Sequence, residues 1–238
     1  ADIDALVTEL VRGAFEYQGQ KCSAASRAYI PQSIWPEVKQ KLLDDISTIK
    51  MGDVEDFTNF MGAVIDAKAF ESIKGYIDFA KQSSEAEIIC GGNCDDSVGF
   101  FVEPTVIVTT NPRFKTMEEE IFGPVLTVYV YKDEELDETL DLCDTTSVYG
   151  LTGAIFAQDR KAIAKMEKRL AHAAGNFYIN DKPTGAVIAQ QPFGGARASG
   201  TNDKAGSKIN MMRWVSPRAI KELLNPPVDY RYAFMQEP

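Results

Sequence analysis

Histidine is almost missing: the 238 residues hold one, His172. A Ser-His-Asp or Cys-His hydrolase would have to use it as general base. It lies in Arg169-Leu170-Ala171-His172, the last turn of a predicted helix, where the helix dipole favours a cation. Nucleophilic chemistry in this chain is therefore expected to run without histidine. Cysteine is scarce too, and four at irregular spacing make no disulfide framework. Cys90 and Cys94 flank Gly91-Gly92-Asn93 with no second pair to follow, which is not a zinc spacing, so no metal site is expected. A reducing compartment fits this usage.

Positive charge is also short. Lys and Arg number 25 against 35 Asp and Glu, a net charge of −10, and the lysines are scattered. Binding a phosphate backbone needs clustered cations, so nucleic acid is not an expected partner. No apolar run approaches the roughly 20 residues of a membrane span, and Ala1-Asp2-Ile3-Asp4 reads as neither signal nor transit peptide. There is no Gly-x-Gly-x-x-Gly after a strand and no P-loop. Nothing in these residues would bind a nucleotide unaided.

What is present is ordinary for a soluble globular protein: 45% hydrophobic and 25% charged residues, in a length that buries a sizeable core. Ile3, Leu6, Val7, Leu10, Val11 and Ala14 recur at helical spacing, predicting a helix over roughly 2–17 that Gly19 ends. Arg27–Ile30 reads as a short strand closed by Pro31, and Trp35–Ile49 as a helix with Pro36 in its first turn. Asp66 is placed to cap a helix through Ala80, with Phe70, Ile73, Ile77 and Ala80 facing inward. Glu87–Cys90 and Phe100–Val108 read as strands, the latter interrupted by Pro104.

An alternation then sets in: strand Val125–Tyr131, helix Glu134–Cys143, strand Leu151–Phe156, helix Arg160–Ala173, strand Phe177–Ile179. This is the pattern of right-handed crossovers in a parallel sheet, so the fold class is α/β, a mostly parallel twisted sheet flanked by helices. Asp181–Gly206 carries little secondary-structure signal, and a loop that long in a compact domain is usually functional. A short helix near Ser216–Leu224 follows, then Asn225-Pro226-Pro227 and an aromatic tail suited to a partner subunit.

The stretch around which the chain is organised is Gly19-Gln20-Lys21-Cys22-Ser23-Ala24-Ala25-Ser26-Arg27. It begins where a helix ends and runs into an apolar strand, a junction where Cys22 can face a cleft. With Glu119-Glu120-Ile121-Phe122-Gly123-Pro124-Val125 and Pro192-Phe193-Gly194-Gly195, it resembles the aldehyde dehydrogenase superfamily in order and separation. The finer likeness is to that superfamily's glutamate-semialdehyde branch. It rests on Gly175-Asn176-Phe177-Tyr178-Ile179-Asn180-Asp181, on Thr184-Gly185-Ala186-Val187, and on Gln190 through Lys204, with Arg197 where most of the superfamily carries lysine.

The resemblance implies a catalytic domain over residues 1–224, a tail over 225–238 that contacts another protomer, and a dinucleotide-binding domain, oxyanion asparagine and general base upstream of Ala1. It implies NAD as cofactor, homo-oligomers, a mitochondrial matrix setting, and oxidation of glutamate γ-semialdehyde to glutamate. Cys22 becomes the nucleophile, and thiolate suits the task by its intrinsic nucleophilicity. Lys21 either favours that thiolate or is simply solvated. Glu120 becomes the acceptor for the nicotinamide ribose and Phe122 the ring beside the nicotinamide. By themselves these two would read as helix-cap chemistry and core packing. Glu119 is structural. Gly185 and Ala186 would hold the substrate α-carboxylate through backbone N–H groups, Ser23 would offer a hydroxyl, and Phe193 would cover the aliphatic part, its rival role being core. A stand-alone cysteine esterase and a non-catalytic assembly module are the readings from other classes.

Overall fold

A computed structural model describes residues 1–187 and 189–235. Asp2 caps the first helix, α1 (Ile3–Phe15), by accepting from the Ala5 N–H at 3.1 Å. Its stripe of Leu6, Val7, Leu10, Ala14 and Phe15 is buried. The helix stops short of the predicted 17 because Tyr17, Gln18 and Gly19 are all left-handed, with φ of 58°, 57° and 63°. The strand β1 (Arg27–Pro31) and helix α2 (Trp35–Ser47) follow, the helix burying Val38, Leu42 and Ile46. Next come α3 (Ala67–Gln82), capped by Asp66 at 2.7 Å, and the strands β2 (Ala86–Cys90), β3 (Cys94–Asp95), β4 (Phe101–Val102) and β5 (Thr105–Thr109). A single-turn helix α4 (Lys115–Glu118) leads into β6 (Val125–Tyr131).

The main sheet has the order β1-β6-β5-β2, parallel except for the antiparallel edge strand β2. In its centre, Val125–Val128 are buried, as expected of a parallel strand covered on both faces. Alternation along β5 divides the interior: Val106 joins α1 and α2 on one face, Ile107 joins α3 on the other. Phe15, Leu42, Ile77 and Leu126, all essentially inaccessible, each stabilise the fold by about 1.5–3 kcal/mol relative to exposure.

The alternating half is α5 (Leu136–Thr145), β7 (Tyr149–Gly150), β8 (Thr152–Ile155), α6 (Arg160–Arg169) and β9 (Asn176–Ile179). Strands β8 and β9 pair in parallel around α6, with Thr152 opposite Asn176, but as a separate two-stranded sheet. The expected single sheet through all three strands does not form because both edges of β6 are occupied by β1 and β5. Helix α6 ends at Arg169, which leaves His172 exposed in the following turn. A two-residue strand, β10 (Ala196–Arg197), pairs with β7, and α7 (Lys208–Met212) is the last α-helix among the described residues, followed only by a 3-10 turn at Ala233–Met235.

The helix expected at Ser216–Leu224 is absent. Every described residue from Met211 onward is exposed, Ile220 and Leu224 to 77% and 87%. An isolated helix that short is unstable without an apolar face to bury, and this chain offers none. The exposed run therefore begins well before the tail expected at 225. No described helix is long and apolar enough to cross a membrane.

Candidate active site

The left-handed turn that ends α1 aims the chain at the site. Non-glycine residues in that conformation cost about 1–2 kcal/mol each, so other contacts must hold them. The Gln18 side chain donates to the Ala63 carbonyl at 2.9 Å, and Gln20 accepts from the Ile65 N–H at 2.9 Å. Only glycine fits at 19, since a Cβ there would lie 2.3 Å from the Gly123 carbonyl oxygen and 2.7 Å from that of Ala14. Residues 21–24 then form a turn, closed by the Ala24 N–H on the Lys21 carbonyl at 3.0 Å.

Cys22 sits on that turn and is exposed, whereas Cys90, Cys94 and Cys143 are all partly withdrawn from solvent. Burial pushes the thiols of those three upward in pKa. Cys22 lines a cavity of about 500 Å³ that runs back between α1, β1 and β8, and Glu120 and Phe122 line the same cavity. The three neighbouring carboxylates part ways. Glu118 pairs with Arg113 at 3.2 Å, Glu119 accepts from the Tyr76 hydroxyl at 2.7 Å, and Glu120 stands exposed at the rim. Phe122 is 45% exposed and left-handed at φ 59°, an aromatic ring held out of the core at a strained position, while its neighbour Ile121 is buried. Lys21 is neither free nor simply solvated, because its ammonium pairs with Glu16 at 3.0 Å.

Ser23 turns away from solvent, and its hydroxyl lies 2.8 Å from that of Thr184. That contact brings the Gly185–Ala186 loop beside the nucleophile turn, with Gly185 at φ 90°. Phe193 is half-buried and does not line the cavity. It forms an antiparallel bridge with Ala205, and Lys204 donates to the carbonyls of Gly175 at 2.5 Å and Gly194 at 3.0 Å. Arg197 reaches Asp144 at 2.6 Å, tying the glycine-rich loop to α5. The structure thus gathers Cys22, Glu120 and Phe122 on one cavity, whereas Ser23, Gly185, Ala186 and Phe193 do not line it: the Gly185–Ala186 loop is joined to the nucleophile turn through the Ser23–Thr184 contact, and Phe193 stands on a separate clip. Thr184 and Lys204 were not singled out in sequence. Both lie inside the stretches that carry the family likeness, Thr184-Gly185-Ala186-Val187 and Gln190 through Lys204, but nothing there marked them apart from their neighbours.

The fold is a two-faced α/β sheet that presents an exposed cysteine at the rim of a cleft. The aldehyde dehydrogenase family profile matches residues 1–220, and the chain belongs to that family. It is 59% identical over 237 residues to the mitochondrial Delta-1-pyrroline-5-carboxylate dehydrogenase of Dictyostelium discoideum, and 55% identical to that of Homo sapiens. It spans about 42% of the length of each, while 99% or more of this chain is covered. Among solved structures, the Delta-pyrroline-5-carboxylate dehydrogenase from Mycobacterium tuberculosis bound with NAD superposes with a TM-score of 0.85 at 49% identity. That match covers 99% of this chain and 43% of the other.

Proposed function

We propose that this chain is the catalytic portion of an NAD-dependent dehydrogenase that oxidises glutamate γ-semialdehyde, the open form of pyrroline-5-carboxylate, to glutamate. The observation that carries the reading is the convergence of exposed Cys22, Glu120 and Phe122 on one cavity, with the Gly185–Ala186 loop tied to the residue after the cysteine. The names of the relatives at 55–59% identity support the same substrate.

Cys22 attacks the aldehyde carbon and forms a hemithioacetal. The Cys22 backbone N–H stabilises the oxyanion that develops. NAD would supply the hydride acceptor for that carbon. The residues present fit its nicotinamide end: an exposed carboxylate at Glu120 for ribose hydroxyls, and the outward ring of Phe122. We assign the rest of the dinucleotide to the part of the relatives' length that this chain does not span. The thioester left on Cys22 is opened by water, which releases the carboxylic acid and returns the thiol. Backbone N–H groups of Gly185 and Ala186 take the α-carboxylate, which sets the aldehyde over the sulfur.

The exposed run from Met211 to Met235 carries Trp214, Ile220, Leu224, Tyr230 and Phe234 on its surface. Contiguous apolar exposure of this kind suits burial against a second copy in a homo-oligomer. A mitochondrial matrix setting agrees with the mitochondrial relatives. The test of the reading is NADH formation from pyrroline-5-carboxylate by the chain joined to a cofactor-binding half from a relative, with Cys22→Ala beside it. Activity that vanishes in the variant is expected, and activity that survives it would overturn the assignment.

A further inference from the structure

Ser23 and Thr184 are separated by 161 positions, yet their hydroxyl oxygens lie 2.8 Å apart. They are 7% and 4% exposed. Each adjoins a working part of the site: Ser23 follows Cys22, and Thr184 precedes Gly185. The same two segments are braced on one turn of α1. A Cβ on Gly13 would meet Ala25 at 3.2 Å and both Lys182 and Pro183 at 3.5 Å, and the Gly13 carbonyl accepts from the Ala25 N–H at 2.9 Å. Across this junction the helix supplies the packing, and the hydroxyl pair supplies a directional link. Buried hydroxyls without partners are costly, so the pair holds the two segments in one relative position.

We propose that Thr184 is a positioning residue. Through Ser23 it sets the placement of the Gly185–Ala186 backbone relative to the Cys22 thiol, and so selects substrates that carry a carboxylate at a fixed distance from the reacting carbon. The inference deepens the proposed function and rests on it. Its physical content is that a small displacement of the anchor selectively weakens ligands that need both ends held.

The experiment compares the binding of two probes by titration calorimetry on the protein joined to its cofactor-binding half. One is L-glutamate, the other 4-aminobutyrate, the same molecule without the α-carboxylate. The proteins are the wild type, Thr184→Val, Thr184→Ser, and the double variant Ser23→Ala with Thr184→Val. Wild type is expected to prefer L-glutamate. Thr184→Val should weaken L-glutamate about tenfold and leave 4-aminobutyrate unchanged, and Thr184→Ser, which keeps the hydroxyl, should restore the preference. If Thr184→Val fails to fold, the double variant leaves no orphaned hydroxyl and carries the same expectation. Equal weakening of both probes, or a preference retained without the hydroxyl, would overturn the positioning role and leave the proposed function standing. A wild type with no preference between the probes would overturn the proposed function and this inference with it.

Discussion

Gly19 and Gly123 meet backbone to backbone: a Cβ on the first would sit 2.3 Å from the carbonyl oxygen of the second. Each lies in a loop that supplies the site, one three residues before Cys22 and the other next to Phe122. The spacing between nucleophile and exposed aromatic is thus set by a contact that tolerates no side chain. Gly123 is pinned from its other side, where a Cβ would come within 2.6 Å of Ile73 on α3.

Gly19→Ala should therefore be destabilising beyond its left-handed cost, since backbone rather than a flexible side chain must move. A loss of about 2 kcal/mol or more is expected. Urea unfolding measures it, and an unchanged midpoint would show that the two loops can separate freely.

The four thiols should react in an order set by exposure and burial. Brief treatment with limiting iodoacetamide near neutral pH is expected to alkylate Cys22 first, with Cys143 trailing because burial pushes its thiol up. Raising the pH should bring Cys90, Cys94 and Cys143 into reaction. Peptide mapping by mass spectrometry reads the order directly, and early modification of Cys143 would contradict the packing of α5 against the cleft.

Much of this fold could be read from local pattern. Asp66 before an apolar stripe locates α3, and the run Val125–Tyr131 is found as β6 with those same ends. What escaped was decided at a distance. Tyr17 and Gln18 carry no mark of a left-handed backbone, because clips from Gln18 to Ala63 and from Gln20 to Ile65 hold it. The short helix expected near Ser216–Leu224 is absent, because no buried face is there to hold one. Of the candidate site, Cys22 is marked out in the sequence by its motif, and the structure leaves it exposed on the cavity. The Ser23–Thr184 link joins residues too far apart in sequence for spacing to reveal.

Tyr76 predicts a pH dependence. Partial burial and the Glu119 carboxylate it donates to raise its pKa from 10.0 to about 12. The folded state keeps a proton that the unfolded chain releases above pH 10, so the stabilisation is whole below that value and is lost as pH climbs toward 12. Tyr76→Phe should flatten the fall in unfolding free energy across this window. An identical slope in the variant would assign the loss to other groups.

Lys204 is a cation without a carboxylate in its hydrogen-bonding shell. It donates to the Gly175 and Gly194 carbonyls, and burial lowers its pKa. Gly175 cannot be replaced beside it, since a Cβ there would lie 2.0 Å from the Gly194 oxygen. Lys204→Met keeps the stem and removes the donor, leaving two closely set carbonyls to repel each other. A loss of about 1.5–3 kcal/mol is expected, concentrated in this loop rather than in the main sheet. The Phe193 and Ala205 amides bond to each other's carbonyls at 3.0 and 2.7 Å, so their hydrogen exchange reports the bridge. Faster exchange at these two amides, with β5 and β6 unaffected, is the expected result. Exchange unchanged at both would mean that backbone packing of the glycines, and not the ammonium, fixes where Phe193 stands.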